Sequence, residues 1–464
     1  MKTRILLFAL SMLITSTFAQ RPHNYNQQRI QVALLLDTSG SMQGLINQAR
    51  SQLWTIINEL TWVDYGQNPP YVELSLYEFG SSNIPSRFGH IRQIVPFTTD
   101  LDWVSAELFS LRTGGSAEFC GQVIDMAAQQ LTWTNHPNDL RLIFIAGNES
   151  FAQGPVDFRG AIVNSVNRGI SVNTIFCGRY SEGQNLLWEE GAYLGQGQYM
   201  NIDHNTSTDR QMSPQDQQLL SLNDQLNQTY LPYGPDGYSM QQRQIAQDKN
   251  VSRYGKSNMA QRVMTKASPV YNNSKWDLID AIDNGQVRLE NIPDNELPSA
   301  MRGKTIGQKR VYLNQTRTKR KQVQSKILAL GKTKRAADKQ LNKNTPTKTL
   351  DKAIVESVNK QKGRTITKRD VNIKNIPTKS TNPTKANVSS TTVKPTRPTT
   401  TTKPTKPTRP TTTSRPTTKY TPSKTQVTTP KPTTPTRPTR PTTSQPPKRN
   451  NIGFDINKTR TPQR

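Results

Sequence analysis

From Arg29 to His204 the chain alternates between two hydrophobic periods, and this alternation narrows the fold more than any other feature of the sequence. Ile30 to Leu36 is a nearly continuous apolar run, as expected of a strand buried on both faces. Gln43 to Leu60 then places Leu45, Ala49, Leu53, Ile56, Ile57 and Leu60 at close to helical spacing. Strand-like segments follow at Tyr71 to Phe79 and Ile91 to Phe97, and a helix at Glu118 to Leu131. Leu140 to Ala146 reads as a strand, Val156 to Asn167 as a helix, and Ile170 to Cys177 as a strand. Leu186 to Leu194 reads as a helix, and Gln198 to Ile202 as a last strand. Strands alternating with helices predict an α/β fold, a doubly wound and mostly parallel sheet covered on both faces. Such sheets bind ligands beyond the carboxyl ends of their strands.

Asp37-Thr38-Ser39-Gly40-Ser41 stands at that edge, directly after the first strand and before the first helix. It puts one carboxylate and two hydroxyls at alternate positions of a tight loop. Hard cations take oxygen ligands, and Mg²⁺ keeps water or accepts a ligand from elsewhere. Helix capping and turn formation use the same residue types, and metal binding is the preferred reading. The D-x-S-x-S pattern resembles the metal-ion-dependent adhesion site of von Willebrand factor type A (VWA) domains. The resemblance covers residues 29–204. It implies a further ligand from a threonine loop, matched by Thr113 in Leu111-Arg112-Thr113-Gly114-Gly115. It also implies an aspartate at the end of the fourth strand, where this chain has Gly147 in Ala146-Gly147-Asn148-Glu149. Asn148, Glu149 and Glu118 are the oxygen donors left to stand in for it. The expected ligand set is therefore Asp37, Ser39, Ser41, Thr113 and Glu149. Mg²⁺ is the first choice of cation, with Mn²⁺ and Ca²⁺ as alternatives. The implied partner is a protein presenting a carboxylate that completes the metal shell.

Catalysis is not expected. The chain has no Gly-x-Ser-x-Gly elbow, no His-Glu-x-x-His and no Cys–His pair at the strand ends. Zinc is disfavoured because Cys120 and Cys177 are far apart and only four histidines accompany them. Both cysteines fall near the carboxyl edge of the sheet. In an exported chain they are expected to form a disulfide rather than stay as buried thiols.

Residues 1–19 read as a secretory signal, with a basic start at Met1 to Arg4, an apolar run from Ile5 to Ile14 and small residues before Gln20. The expected location is periplasmic or extracellular, with no transmembrane segment. Residues 205–360 form a polar, partly helical extension with aromatic anchors Tyr230, Tyr233, Tyr271 and Trp276. Its basic stretch from Thr305 to Leu350 reads as short helices. Residues 361–464 are low-complexity, with recurring Pro-Thr-Arg-Pro-Thr phrases and no acidic residue between Asp370 and Asp455. Such composition predicts a disordered basic tail. The net charge of +28 suits anionic envelope polymers or a membrane surface. Specific nucleic-acid recognition is not expected, since the repeats offer no stacking platform beyond Tyr420. The leading expectation is thus a non-enzymatic, exported binding or adhesion protein. The alternative is an envelope scaffold with a metal-free VWA domain anchored through its tail.

Overall fold

Ile30, Val32, Leu34 and Leu36 belong to one hydrophobic cluster, whereas Ala33 and Leu35 belong to another. A strand that feeds two cores with alternate residues must lie inside a sheet covered on both sides. The computed structural model describes residues 28–62, 70–206, 212–341 and 349–362. The signal segment and nearly all of the basic tail lie outside these residues, so the expectations made for them are neither met nor overturned.

The first part of the chain runs β1 (Arg29–Asp37), α1 (Gln43–Thr61), β2 (Tyr71–Phe79), β3 (Ile91–Thr98), α2 (Leu101–Ser110) and α3 (Cys120–Gln130). β4 (Leu140–Gly147), α4 (Phe158–Asn167), β5 (Ser171–Cys177), α5 (Tyr180–Asn185), α6 (Trp188–Leu194) and β6 (Gln196–Ile202) follow. The six strands lie in the order β3-β2-β1-β4-β5-β6. All pairings are parallel except that of β3 with β2. This is the doubly wound α/β architecture expected. Helices α1 and α2 contribute to the cluster on one face, and α3, α4 and α6 to the other.

Helix α2 falls in a stretch the periodicity left unassigned. Its signals are an Asp100 cap, whose side chain accepts from the Trp103 amide, and buried Leu101, Val104 and Leu108. The expected helix at 186–194 starts at Trp188, because Leu187 takes a left-handed conformation that separates it from α5.

The extension comprises α7 (Pro214–Asn227), α8 (Gly237–Ser252), α9 (Lys256–Ala267), α10 (Leu278–Asp283), α11 (Ile306–Leu341) and α12 (Leu350–Gln361). It packs on the α1 face and joins that face's core through Leu219, Val263, Ile327 and Ile354. Residues expected as short basic helices form a single helix, α11, of 36 residues. No proline interrupts it. Gly331 lies where α11 passes α9, and an added Cβ there would stand 3.3 Å from Met264 Cγ. A close helix approach, not a break, explains that glycine. Helix α12 returns to the sheet beside α1. The Leu350 and Asp351 amides donate to Gln48 Oε1 and Gln52 Oε1 at 3.1 and 2.9 Å. Ser357 then donates to Asn173 of β5 at 2.6 Å.

Buried ion pairs fasten the extension to the sheet domain. Arg262, with no exposure, lies 2.7 Å from Asp102 of α2 and 2.6 Å from Asp248 of α8. Its guanidinium also stacks over Trp54 at 4.4 Å. Burial alone would raise the Asp248 carboxyl, but the charges of Lys266 and Arg262 hold it below its usual range. Removing one partner from a buried network leaves uncompensated charge. Arg262→Ala is expected to cost about 3–5 kcal/mol, read as a drop in the urea midpoint, and an unchanged midpoint would refute the account.

A second cluster holds α10 to α11. Arg320 meets Asp277 at 2.5 Å and Asp280 at 3.0 Å. Burial and the neighbouring Asp277 push Asp280 up to about 6, against the pull of Arg320. The folded chain therefore holds this proton more tightly than the unfolded chain does. Its stabilising contribution is complete below the unfolded value near pH 4 and is lost as pH rises to about 6. Denaturant titrations across that window should show the decline in the natural protein and a flatter profile in Asp280→Asn.

Candidate functional site

β1 and β4 are adjacent, and the chain leaves them toward opposite sides of the sheet, so a crevice opens beyond their carboxyl ends. Asp37 ends β1 at this point and is fully buried. Three loops meet around it through backbone bonds. The Thr38 amide donates to Phe79 O at 2.8 Å, Gly114 to Thr38 O at 2.9 Å, and Gly40 to Gly115 O at 3.0 Å. Gly80 turns the chain after β2 with φ of 86°. A Cβ at Gly80 would stand 2.7 Å from Asp37 Oδ1, so this position needs glycine both for its backbone and for the space.

The side chains gathered here carry oxygen. Asp37 Oδ1 accepts the Ser39 amide at 2.7 Å, and the Ser39 and Ser41 hydroxyls lie 3.3 Å apart. Ser41 also donates to Asn148 Oδ1 at 3.4 Å. Glu118, at 2% exposure, enters from the loop before α3 and stands against Asp37. Burial, then hydrogen bonding and charge from Glu118, push the Asp37 carboxyl well above the usual carboxylate range. Burial also raises Glu118, against hydrogen bonds to Asp37, Ser39 and the Glu149 backbone. The physical picture is a buried acid pair sharing a proton, held chiefly by Asp37. Asp37 Oδ2 and Glu118 Oε2 are both buried and lack a hydrogen-bond partner among the described residues.

The expected ligands divide into two groups. Asp37, Ser39 and Ser41 come together, whereas Thr113 donates to Gln43 Oε1 at 3.2 Å and Glu149 is exposed. The carboxylate beside Asp37 belongs to Glu118, named in the sequence only as one alternative to the absent aspartate. A Cβ at Gly147 would lie 3.1 Å from Asp37 Oδ2 and 3.2 Å from the Trp188 ring. Trp188 fills that wall and donates to Glu149 O at 2.8 Å, which directs the 147–150 turn outward. Among the described residues no cluster of three or more His, Cys, Asp or Glu side chains forms a metal group. The donor set is instead two carboxyls with two hydroxyls. Two orphaned buried carboxyl oxygens beside those hydroxyls fit a hard cation, which prefers oxygen and offsets their negative charge.

The expected disulfide is corrected. Cys120 and Cys177 are both free and buried. Cys120 belongs to the α3/α4 core, while Cys177 belongs to the α1 core, so the sheet separates the two thiols. Burial pushes both thiols well above their ordinary pKa, with Asp37 and Glu118 adding to the effect.

Arg50 of α1 was missed in the sequence. At 8% exposure it donates to Leu108 O and Leu111 O, each at 2.8 Å. These bonds cap the carboxyl end of α2 and fix the segment that leads to Thr113. Arg50→Ala is expected to cost about 1–3 kcal/mol and to raise hydrogen exchange selectively at residues 111–115. Uniform exchange across the domain would refute the positioning role.

No family model and no curated protein matches the chain. Solved structures do resemble it. A conserved hypothetical protein, BatB from Bacteroides thetaiotaomicron, is 16% identical, with 39% of this chain and 92% of that one covered at a TM-score of 0.30. A von Willebrand factor type A structure from Catenulispora acidiphila is 16% identical, with coverages of 38% and 39% and a TM-score of 0.29. The pilus adhesin SpaC from Lactobacillus rhamnosus GG, in its open conformation, is 14% identical, with coverages of 38% and 28% and a TM-score of 0.28. The strand order and the antiparallel third strand give residues 29–202 a doubly wound α/β fold in their own right.

Proposed function

We infer that the crevice beyond β1 binds a divalent cation and that the cation-bearing edge docks a protein partner, without catalysis. The observation that carries this reading is the pair of buried, unpartnered oxygens, Asp37 Oδ2 and Glu118 Oε2, beside the Ser39 and Ser41 hydroxyls. The proton shared with Glu118 meets only part of the cost of burying both carboxyls, and a cation in its place would offset their charge and engage the remaining oxygens. Asp37 and Glu118 would hold Mg²⁺, with Ser39 and Ser41 as neutral ligands and Mn²⁺ or Ca²⁺ as substitutes. Thr113 sits on the adjoining loop, where its hydroxyl donates to Gln43 Oε1. When bound, the cation supplies a Lewis-acidic centre for a carboxylate on the partner. The chain's own residues shape the approach, since Asn148 and Glu149 rim the crevice on one side and Arg112 is exposed on the other.

Export and the tail belong to the same reading. No helix among the described residues is long and apolar enough to cross a membrane. The sequence-level signal directs the chain out of the cytoplasm, and its basic tail suits anionic envelope polymers or a membrane surface. The competing reading is an envelope scaffold whose Asp37–Glu118 pair keeps its proton and takes no metal.

Calorimetric titration of Mg²⁺ and Mn²⁺ into the full chain separates the two. Cation binding is expected to vanish in Asp37→Ala and to weaken at least about tenfold in Glu118→Gln, about 1.4 kcal/mol. Glu149→Gln should change little. Because the cation displaces a proton, affinity should climb with pH. No heat from the folded natural protein at any pH up to about 8 would favour the proton-holding scaffold.

A further inference from the structure

The edge of the sheet opposite Asp37 carries a second cleft, of about 260 Å³, between the sheet and the α9–α10 loop. Its walls come from the start of β2, the end of β3 and residues 272–276. β2 pairs Phe79 with Asp37 at one end and begins with Tyr71 at the other, so the two sites lie about 26 Å apart at roughly 3.3 Å per residue. Clefts between a domain and its extension are common ligand sites, usually of about 300–1,000 Å³, and this one suits a small occupant.

The chemistry of the lining selects the occupant. Glu73 and Asp100 face the cleft, but each already has a cation: Arg29 lies 3.5 Å from Glu73, and Arg243 lies 2.5 Å from Asp100. Lys275 is exposed at the rim and makes no ion pair among the described residues. One lysine beside two neutralised carboxylates gives too little positive charge to hold a phosphate. Asn273 is 8% exposed, and its Nδ2 donor has no partner among the described residues. Its backbone is fixed, since the Asn273 amide donates to Asp280 Oδ2 at 2.9 Å. A purely apolar ligand would leave that buried donor unpaired. A hydroxyl-rich ligand both donates and accepts at the same atoms, so it matches a wall of amides, hydroxyls and carboxylates. Tyr71 and Phe97, both half-buried, supply a small apolar ring surface in the same lining, against which the C–H face of a pyranose packs.

We propose that this cleft binds a saccharide of one or two rings, with Asn273 as the buried donor, Glu73 and Asp100 as acceptors and Lys275 at the rim. The site is independent of the cation crevice. It gives the protein a second binding edge, so one chain can hold a protein partner at one end of the sheet and a glycan at the other.

Saturation-transfer NMR on the full chain, with maltose, cellobiose and diacetylchitobiose as probes at about 10 mM, covers the weak affinities expected of such sites. At least one disaccharide should show saturable transfer that Asp37→Ala and chelator leave unchanged. Asn273→Leu should abolish the signal. Should that variant fail to fold, Lys275→Glu at the exposed rim should weaken binding severalfold. No transfer from any of the three sugars would overturn the proposal, as would transfer that survives both folded cleft variants.

Discussion

A carboxyl group with no exposure at the end of the central strand sets the terms for the rest of the sheet's carboxyl edge. Asp37 cannot be neutral and bare there, nor charged and unpaired, without a large desolvation cost. The surrounding chain meets this constraint with backbone. Its own loop turns the Ser39 amide back to Oδ1, and two further loops are drawn in by the bonds at Thr38, Gly40 and Gly114. Asp37 occupies the space a Cβ at Gly80 would need, and one at Gly147 would crowd both Asp37 and Trp188. The crevice is therefore stiff before anything enters it, which lowers the ordering cost of binding.

The same logic of compensated burial explains how a polar extension became part of the core. The segment after β6 has an apolar cluster of its own, with Leu231, Leu278, Leu297 and Leu313, and adds buried charge to it. It brings Arg262, Lys266, Arg320 and Lys334 into the interior, and each meets an aspartate within 3.0 Å. Buried ion pairs of this kind add little net stability over an apolar contact, but they penalise misalignment heavily. Of these pairs Arg262–Asp102 ties the extension to α2, and the other three fix its helices on one another. Much of the chain's positive charge is thus confined after Gln361, where Asp370 and Asp455 are the acidic residues.

The sheet was legible because its strands are short apolar runs bounded by turns, and the D-x-S-x-S loop because it follows one of them directly. The extension was less legible because its helices are held by charge pairs remote in sequence, which no local period reveals. Helix α11 runs through Gly307 and Gly331, residues that lower intrinsic propensity, since packing against α7 and α9 outweighs about 1 kcal/mol per glycine. The cysteine pairing failed on orientation. Both thiols approach one edge of the sheet, but a strand sends alternate side chains to opposite faces, and Cys177 faces the layer that α3 does not touch.

Glu118 shows how a site can keep its chemistry while its residues move. An aspartate at the end of β4 would crowd Asp37 Oδ2 and the Trp188 ring, which would have to give by a few tenths of an ångström. A glutamate on the opposite wall has one more methylene and reaches the same oxygen cluster from the loop before α3. The exchange alters what the site is coupled to. A carboxylate on β4 would be fixed to the sheet, whereas Glu118 sits two residues before Cys120 at the start of α3, with its backbone amide held by Gln153. Any change in what occupies the crevice therefore acts first on the loop between α2 and α3 and on the 147–153 turn. These are the segments that rim the cation edge, where a partner would read the difference.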